Sequence, residues 1–358
     1  MPKVLMYYSY GDRIGGPLTY INTIINSPLK EKYNFVTCYQ NQAPGGRDGK
    51  MLKRMTEQIK KEKPDIVHVH GAQSEGFYGV LAAKRAGCKC IVMTVHGFAF
   101  DDKGCTGVKH FLYKNIIEPY SLRRSNKVYC VCEFASKREI IKKNCKKNDC
   151  GYIHNTVGEL YIEASRQETR SALGIGSEDT VFAISGRLAR DKGFPVLEKA
   201  IGILNGKTDK PFKLIVIGDG PYRQAFSESM SREIASGQII LVGQTNKVPD
   251  YLAASDAFVF PSYHENLSIA LLEACKSCLP CIVSNVGGNA EIISNNENGY
   301  VIDGFDPEDY TEKMLCFIEN KAEMIKMGNK AKHTADTKFS LEEMCRKIDE
   351  VYRNGLAT

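Results

Sequence analysis

The chain has 358 residues, 43% of them hydrophobic and 25% charged, the proportions of a globular protein long enough for two cores. No apolar run reaches the roughly 18 residues that span a bilayer, and the opening MPKVLMYYSY reads as a strand rather than a secretion signal, so a cytoplasmic location is expected. The net charge of +6 is uneven: residues 1–165 carry 26 Lys and Arg against 15 Asp and Glu (+11), and residues 166–358 carry 22 against 27 (−5). A basic first half suggests an anionic partner, whether a phospholipid surface, a lipid diphosphate or a nucleic acid. No aromatic-interleaved basic motif supports the last of these, so no nucleic-acid partner is expected.

Read in chain order, short β-rich runs alternate with helical stretches. The first half offers strands at KVLMYYSY, YNFVTCYQ, DIVHVHG, KCIVMTVHG, KVYCVC and YIHNTV, with helices such as PLTYINTIINSPLKEK and MLKRMTEQIKKEK between them. Near-continuous apolar strands with intervening helices predict parallel sheets covered on both faces. GELYIEASRQETRSALGI interrupts the pattern as a linker, which then restarts with TVFAISGR, FKLIVIGDG, QIILVGQ, DAFVFPS, PCIVSNV and GYVID. The expected fold is therefore α/β: two doubly wound, Rossmann-like domains, 1–165 and 166–340, facing each other across a cleft. The amphipathic tail SLEEMCRKIDEVYRNG, in 341–358, is expected to pack back on the first domain. The 13 cysteines are scattered through strands and helices without a disulfide framework. CKSCLPC, with Cys275, Cys278 and Cys281, has cluster-like spacing but lacks a fourth ligand, so no metal site is assigned there.

Ligands of parallel sheets bind outside the carboxyl ends of the strands, so the loops there carry the candidate chemistry. In FPSYHENLSIALLEA a strand turns into a helix with Ser268 as its N-cap. Amides around Asn266, Leu267 and Ser268 then suit a phosphate or sugar oxygen. Glu265 precedes this helix, and Glu273 lies about 12 Å further along by helical rise. That spacing is too wide for acid–base work at one atom but suits gripping two ends of one ligand. Two merely solvated glutamates would fit Glu273 poorly, because ALLEA is apolar around it. SGRLARDKG presents Arg187 and Lys192 as a pair able to clamp a diphosphate. VIGDGP and GGNAE are glycine-rich turns, the latter carrying Gly287 and Gly288, where a backbone can approach a ligand closely. DRIGGPLTY places Gly15 and Gly16 after the first strand but is not a dinucleotide fingerprint. His96 in TVHGF, Asn155 in HNTV and Gly243 in QIILVGQ stand at strand ends.

In their order along the chain, GRLxxxKG, GDGP, the E-x7-E pair and GG..E resemble the retaining glycosyltransferases of family 4, of GT-B architecture. The resemblance covers nearly the whole chain, although Asn266 and Ser268 stand where many members carry glycine. It implies that Glu265 contacts hydroxyls of the transferred sugar and Glu273 the ribose. It further implies that Arg187 and Lys192 hold the diphosphate with help from Gly15, Gly16, Gly287 and Gly288, and that His96 serves the reacting centre. Asn155, Gly243, Asn266, Leu267 and Ser268 join the nucleotide-sugar contacts. His96, Glu265, Arg187 and Lys192 are thus the implied catalytic set. The donor is expected to be a nucleotide-sugar with uridine favoured, and the acceptor a glycan or polyprenyl-diphosphate-linked glycan, as in capsule or lipopolysaccharide assembly. The chain contains no DxD triplet, so neither cofactor nor obligatory metal is expected. The basic stretch HFLYKNIIEPYSLRR suggests a peripheral enzyme at an anionic inner membrane face. Two competing readings are a sugar-nucleotide epimerase of the same architecture and a non-catalytic partner subunit.

Overall fold

A computed structural model describes residues 1–9, 16–40, 49–101 and 105–357. It divides into two compact units, Met1–Val157 with Ser340–Thr358, and Gly158–Phe339. The stretch 158–165, assigned from sequence to the first domain, lies with the second unit. The Glu163 amide donates to Asp250 Oδ1 at 2.8 Å, and the Glu163 carboxylate meets Lys247 at 2.7 Å.

Unit 1 holds strands β1 (Lys3–Ser9), β2 (Asn34–Gln40), β3 (Ile66–His70), β4 (Cys90–Val95), β5 (Lys127–Cys130) and β6 (Asp149–Tyr152). They form one parallel sheet in the order β2-β1-β3-β4-β5-β6. Every residue of β3 and β4 is buried, which explains why these strands read as unbroken apolar runs. The sixth strand is DCGY rather than YIHNTV, so Asn155 lies three residues beyond its end. The expected helix PLTYINTIINSPLKEK is broken in two: Gly16–Asn26 is helical, and Ser27 then caps a 3₁₀ turn that begins at Pro28.

The last helix, Leu341–Leu356, belongs to unit 1. Its buried residues Met344, Cys345, Ile348, Val351 and Tyr352 recur at helical spacing and enter the core that contains Val4, Met6, Tyr20 and Val92. Burying Ile348 alone is worth about 1.5–3 kcal/mol. Asp349 anchors the same face, accepting from Tyr33 Oη at 2.8 Å and from Lys32 Nζ at 2.9 Å.

Unit 2 holds β7 (Thr180–Ser185), β8 (Phe212–Ile217), β9 (Ile239–Gly243), β10 (Ala257–Phe260), β11 (Cys281–Ser284) and β12 (Gly299–Ile302). Its parallel order is β12-β11-β10-β7-β8-β9. The strand order reverses between β7 and β10, and in doubly wound sheets such a switch point opens a crevice at the strand ends. Among the described residues no helix is long and apolar enough to cross a membrane. Cys275 and Cys281 are buried with sulphurs 3.8 Å apart, whereas Cys278 is exposed.

Candidate functional site

The loops after β7 and β10 meet at the switch point of unit 2. Lys192 closes the 3₁₀ turn Arg190–Lys192, and its ammonium lies 2.6 Å from Glu265 Oε1. Ser262 Oγ donates to the same oxygen at 2.9 Å, and the Phe260 ring lies 5.8 Å from the ammonium. Both charged side chains are largely shielded, at 23% and 10% exposure. No described residue bonds Glu265 Oε2, so one carboxylate oxygen anchors the lysine and the other is available to a hydroxyl.

Two glycines hold this geometry. At Gly193, φ is +80°, and a Cβ would stand 1.9 Å from the Pro261 carbonyl oxygen, so the two loops touch backbone to backbone. At Gly287, φ is +57°, and a Cβ would stand 1.9 Å from the carbonyl oxygen of Glu265 itself. The next amide, of Gly288, donates to the Asn266 carbonyl at 2.6 Å. The loop after β11 therefore clamps the backbone that carries Glu265. Of Gly287 and Gly288, which sequence reading expected to let the backbone approach a ligand, Gly287 has the space its side chain would fill taken by protein.

Beyond the clamp, Ser268 caps the helix Ile269–Lys276, its Oγ accepting from the Leu271 amide at 3.2 Å. Asn266 and Asn289 each bury an Oδ1 without a hydrogen-bond partner among the described residues. Glu273, on the same helix between buried Leu271, Leu272, Ala274 and Cys275, has its carboxyl pushed up to about 7 by burial. A desolvated acid of near-neutral pKa, with no ion pair among the described residues, is a candidate site residue.

In unit 1, the C-terminal half of β3 and the residue after β4 gather three histidines. His96 is half-buried, with Nε2 3.3 Å from His70 Nδ1 and its ring stacked on His70 at 5.5 Å between centroids. Tyr20 sets its ring edge 5.2 Å from His96. His68 lies deeper, 4.2 Å from His70 ring to ring, with Nδ1 at 2.7 Å from Tyr352 Oη and Nε2 at 2.7 Å from Thr94 Oγ1. Burial lowers all three: His68 and His96 to about 3, and His70 well below its ordinary value with help from its two neighbours. The cluster is uncharged at neutral pH.

Residues 165–334 match the family model described as Glycosyl transferases group 1, and residues 32–158 match that described as Glycosyltransferase Family 4. The UDP-Gal:alpha-D-GlcNAc-diphosphoundecaprenol alpha-1,3-galactosyltransferase of Escherichia coli is 29% identical over 311 residues, 86% of this chain and 79% of that protein. The capsular polysaccharide biosynthesis glycosyltransferase CapM of Staphylococcus aureus is 23% identical, covering 86% and 82%. Anabaena Alr3699/HepE, solved in complex with UDP-glucose, superposes with a TM-score of 0.82 over 98% of this chain and 99% of that one, at 16% identity. These matches support a glycosyltransferase of the GT-B type.

Its two six-stranded parallel sheets are the Rossmann-like domains of the GT-B fold. Of the residues named from the sequence, Lys192 and Glu265 are in direct contact, with Asn266, Leu267 and Ser268 following on the same loop. Arg187 does not share the lysine's partner: it is half-exposed, and its Nη2 donates to both carboxylate oxygens of Asp191 at 2.9 and 3.0 Å. Gly243 ends β9 at φ +80°, and its carbonyl accepts from Gly218. Gly16 opens the first helix of unit 1, whereas Gly15 lies outside the described residues. Asn155 is buried beyond β6, its amide donating to the Val131 carbonyl. Sequence reading overlooked Ser262, Asp191 and His70. The first two hold the residues it did name. His70 ends a strand just as His96 does, and the same criterion would have found it.

Proposed function

We propose that this GT-B glycosyltransferase is a retaining enzyme that moves a sugar from a nucleotide diphosphate, UDP by preference, to a hydroxyl of a lipid-linked glycan in the cytoplasm. The Lys192–Glu265 pair at the switch point carries the proposal. A lysine has three protons, and Glu265 engages one, which leaves the others for phosphate oxygens. Arg187 exchanges Asp191 for the same diphosphate, and the amides leading into the Ser268-capped helix complete the anion site. In transfer, the bond from the anomeric carbon to the diphosphate breaks while one to the acceptor oxygen forms, and the acceptor's proton leaves with the diphosphate. Negative charge grows on the leaving group, where preorganised cations and amides act most strongly. Glu265 Oε2 binds a sugar hydroxyl, Glu273 the ribose, and His96 works on the transferred sugar. A uridine donor is supported by the UDP-glucose bound to Alr3699/HepE and by the donor named for the E. coli relative. The acceptor class is supported by that relative's diphosphoundecaprenol substrate. The absence of DxD from the sequence supports phosphate binding without an obligatory metal.

A thermal-shift panel of UDP, GDP and their sugars tests this. UDP at 100 times its dissociation constant should stabilise the protein by about 2.7 kcal/mol, with or without chelator. A melting temperature unmoved by every nucleotide would exclude the donor site.

The acceptor side is proposed to rest on an anionic membrane. The helical run Gly107–Leu112 and its π-helical continuation Tyr113–Ile117 contain no buried residue. Val108, Phe111, Leu112 and Ile116 are 76%, 59%, 39% and 51% exposed and recur at spacings of three and four, interleaved with Lys109 and Lys114. Unit 1 as a whole holds 29 Lys and Arg against 17 Asp and Glu. An apolar helical stripe flanked by cations suits the interface of an anionic bilayer. The protein should sediment with phosphatidylglycerol vesicles at low salt, and Phe111→Ser with Ile116→Ser should abolish this. Unchanged sedimentation of the double variant would refute the surface.

A further inference from the structure

His70 and His96 form a hydrogen-bonded pair of imidazoles, and a neutral pair needs one donor and one acceptor between them. The partner that donates determines where the proton of His96 sits. His96 Nε2 and His70 Nδ1 are 3.3 Å apart, and no described residue bonds the remaining nitrogen of either ring. The remaining nitrogen of His70, Nε2, is fully enclosed and unpartnered. Were His96 to donate from Nε2, His70 would have to carry its own proton on Nε2 and bury an N–H with no acceptor. Were His70 to donate from Nδ1, only a lone pair would be buried there. An orphaned buried N–H is the rarer and costlier of the two.

We infer that His70 is a positioning residue, whose Nδ1–H donates to His96 Nε2 and fixes His96 in the Nδ1–H tautomer, so that His96 meets substrate as a hydrogen-bond donor and not as a base. Free imidazole side chains favour the opposite tautomer, so the arrangement must be imposed, and the surroundings show how. His70 is 2% exposed and ends the buried strand β3. Its ring is pressed between His96 and His68, and His68 in turn is fixed through both nitrogens by Tyr352 and Thr94. Tyr20, edge-on to His70 and His96, closes the side. The C-terminal helix, through Tyr352, therefore supports the floor on which the pair stands. Low histidine pKa values agree with the pair's staying neutral across the physiological range.

The inference rests on His96 serving the reaction, but its structural part can be measured without turnover. In the full-length protein labelled with ¹⁵N in its imidazoles, long-range ¹⁵N–¹H spectra, assigned with His96→Asn, should show His96 with a protonated Nδ1 and a bare Nε2. His70→Leu should shift His96 toward the Nε2–H form and lower kcat roughly 10- to 100-fold, the loss typical when an outer hydrogen-bond partner that orients a functional side chain is removed. His70→Asn, whose amide replaces Nδ1–H, should recover most of that loss. A protonated Nε2 in the unaltered protein overturns the inference even if His70→Leu fails to fold. An unchanged His96 tautomer in a folded His70→Leu protein also overturns it. Full turnover in a His96→Ala variant would instead remove His96 from the reaction while leaving the tautomer measurement to stand, so the two failures are distinguishable.

Discussion

Glu265→Ala is expected to lower kcat/KM about 10²- to 10³-fold, the loss typical when one preorganised electrostatic contact to the reacting groups is removed. The pair geometry makes the expectation specific. Lys192 and Glu265 stand 2.6 Å apart and largely shielded from water, so removing either strands the other. Truncating one partner of such a pair costs about 3–5 kcal/mol when it is buried. Lys192 retains 23% exposure, which places the stability loss toward the lower end of that range. Lys192→Ala should match the kinetic defect, and the double variant should be little worse than either single one, because the two side chains act as a unit. Steady-state kinetics of the four proteins decide the matter. Wild-type turnover in either single variant would show that the pair only holds the loops together.

Gly287→Ala should be as damaging, although it adds one methyl group and touches no charged atom. A residue at φ +57° costs about 1–2 kcal/mol in left-handed strain. The larger effect is steric. The added Cβ would stand 1.9 Å from the Glu265 carbonyl oxygen, where van der Waals contact needs about 3.5 Å. The backbone under Glu265 must therefore move, and displacements of about 1 Å at a reacting group can cost 10²-fold in rate. Gly202→Ala, within the helix Phe194–Asn205 and with nothing within 4 Å of its Cβ, is the matched control and should stabilise by about 0.5–1 kcal/mol. Melting temperatures and UDP affinities of the two variants should diverge. Equal behaviour would show that the loop after β11 does not support the site.

Much of this molecule was legible along the chain because the signals involved are local. Twelve apolar runs marked twelve strands, although the sixth was placed three residues late, since DCGY has neither strong β-propensity nor an apolar face. Ser268 was readable as an N-cap because capping depends on residues only three apart. Lys192 and Glu265 were each identifiable from loop chemistry at a strand end.

Their contact was another matter. They lie 73 residues apart, and only the β12-β11-β10-β7-β8-β9 order makes β7 and β10 neighbours and brings their loops into touch. Strand order likewise sets β3 beside β4 and so stacks His70 on His96, 26 residues away. Packing alone sends Tyr352 across 284 residues to His68 and gives Gly287 its work under Glu265. Periodicity, caps and turn residues act through a handful of neighbouring dihedrals, so they could be read along the chain, and with them the elements and the ingredients of the site. Which ingredients meet depends on the order in which strands assemble and on the space left between them, neither of which any local pattern encodes.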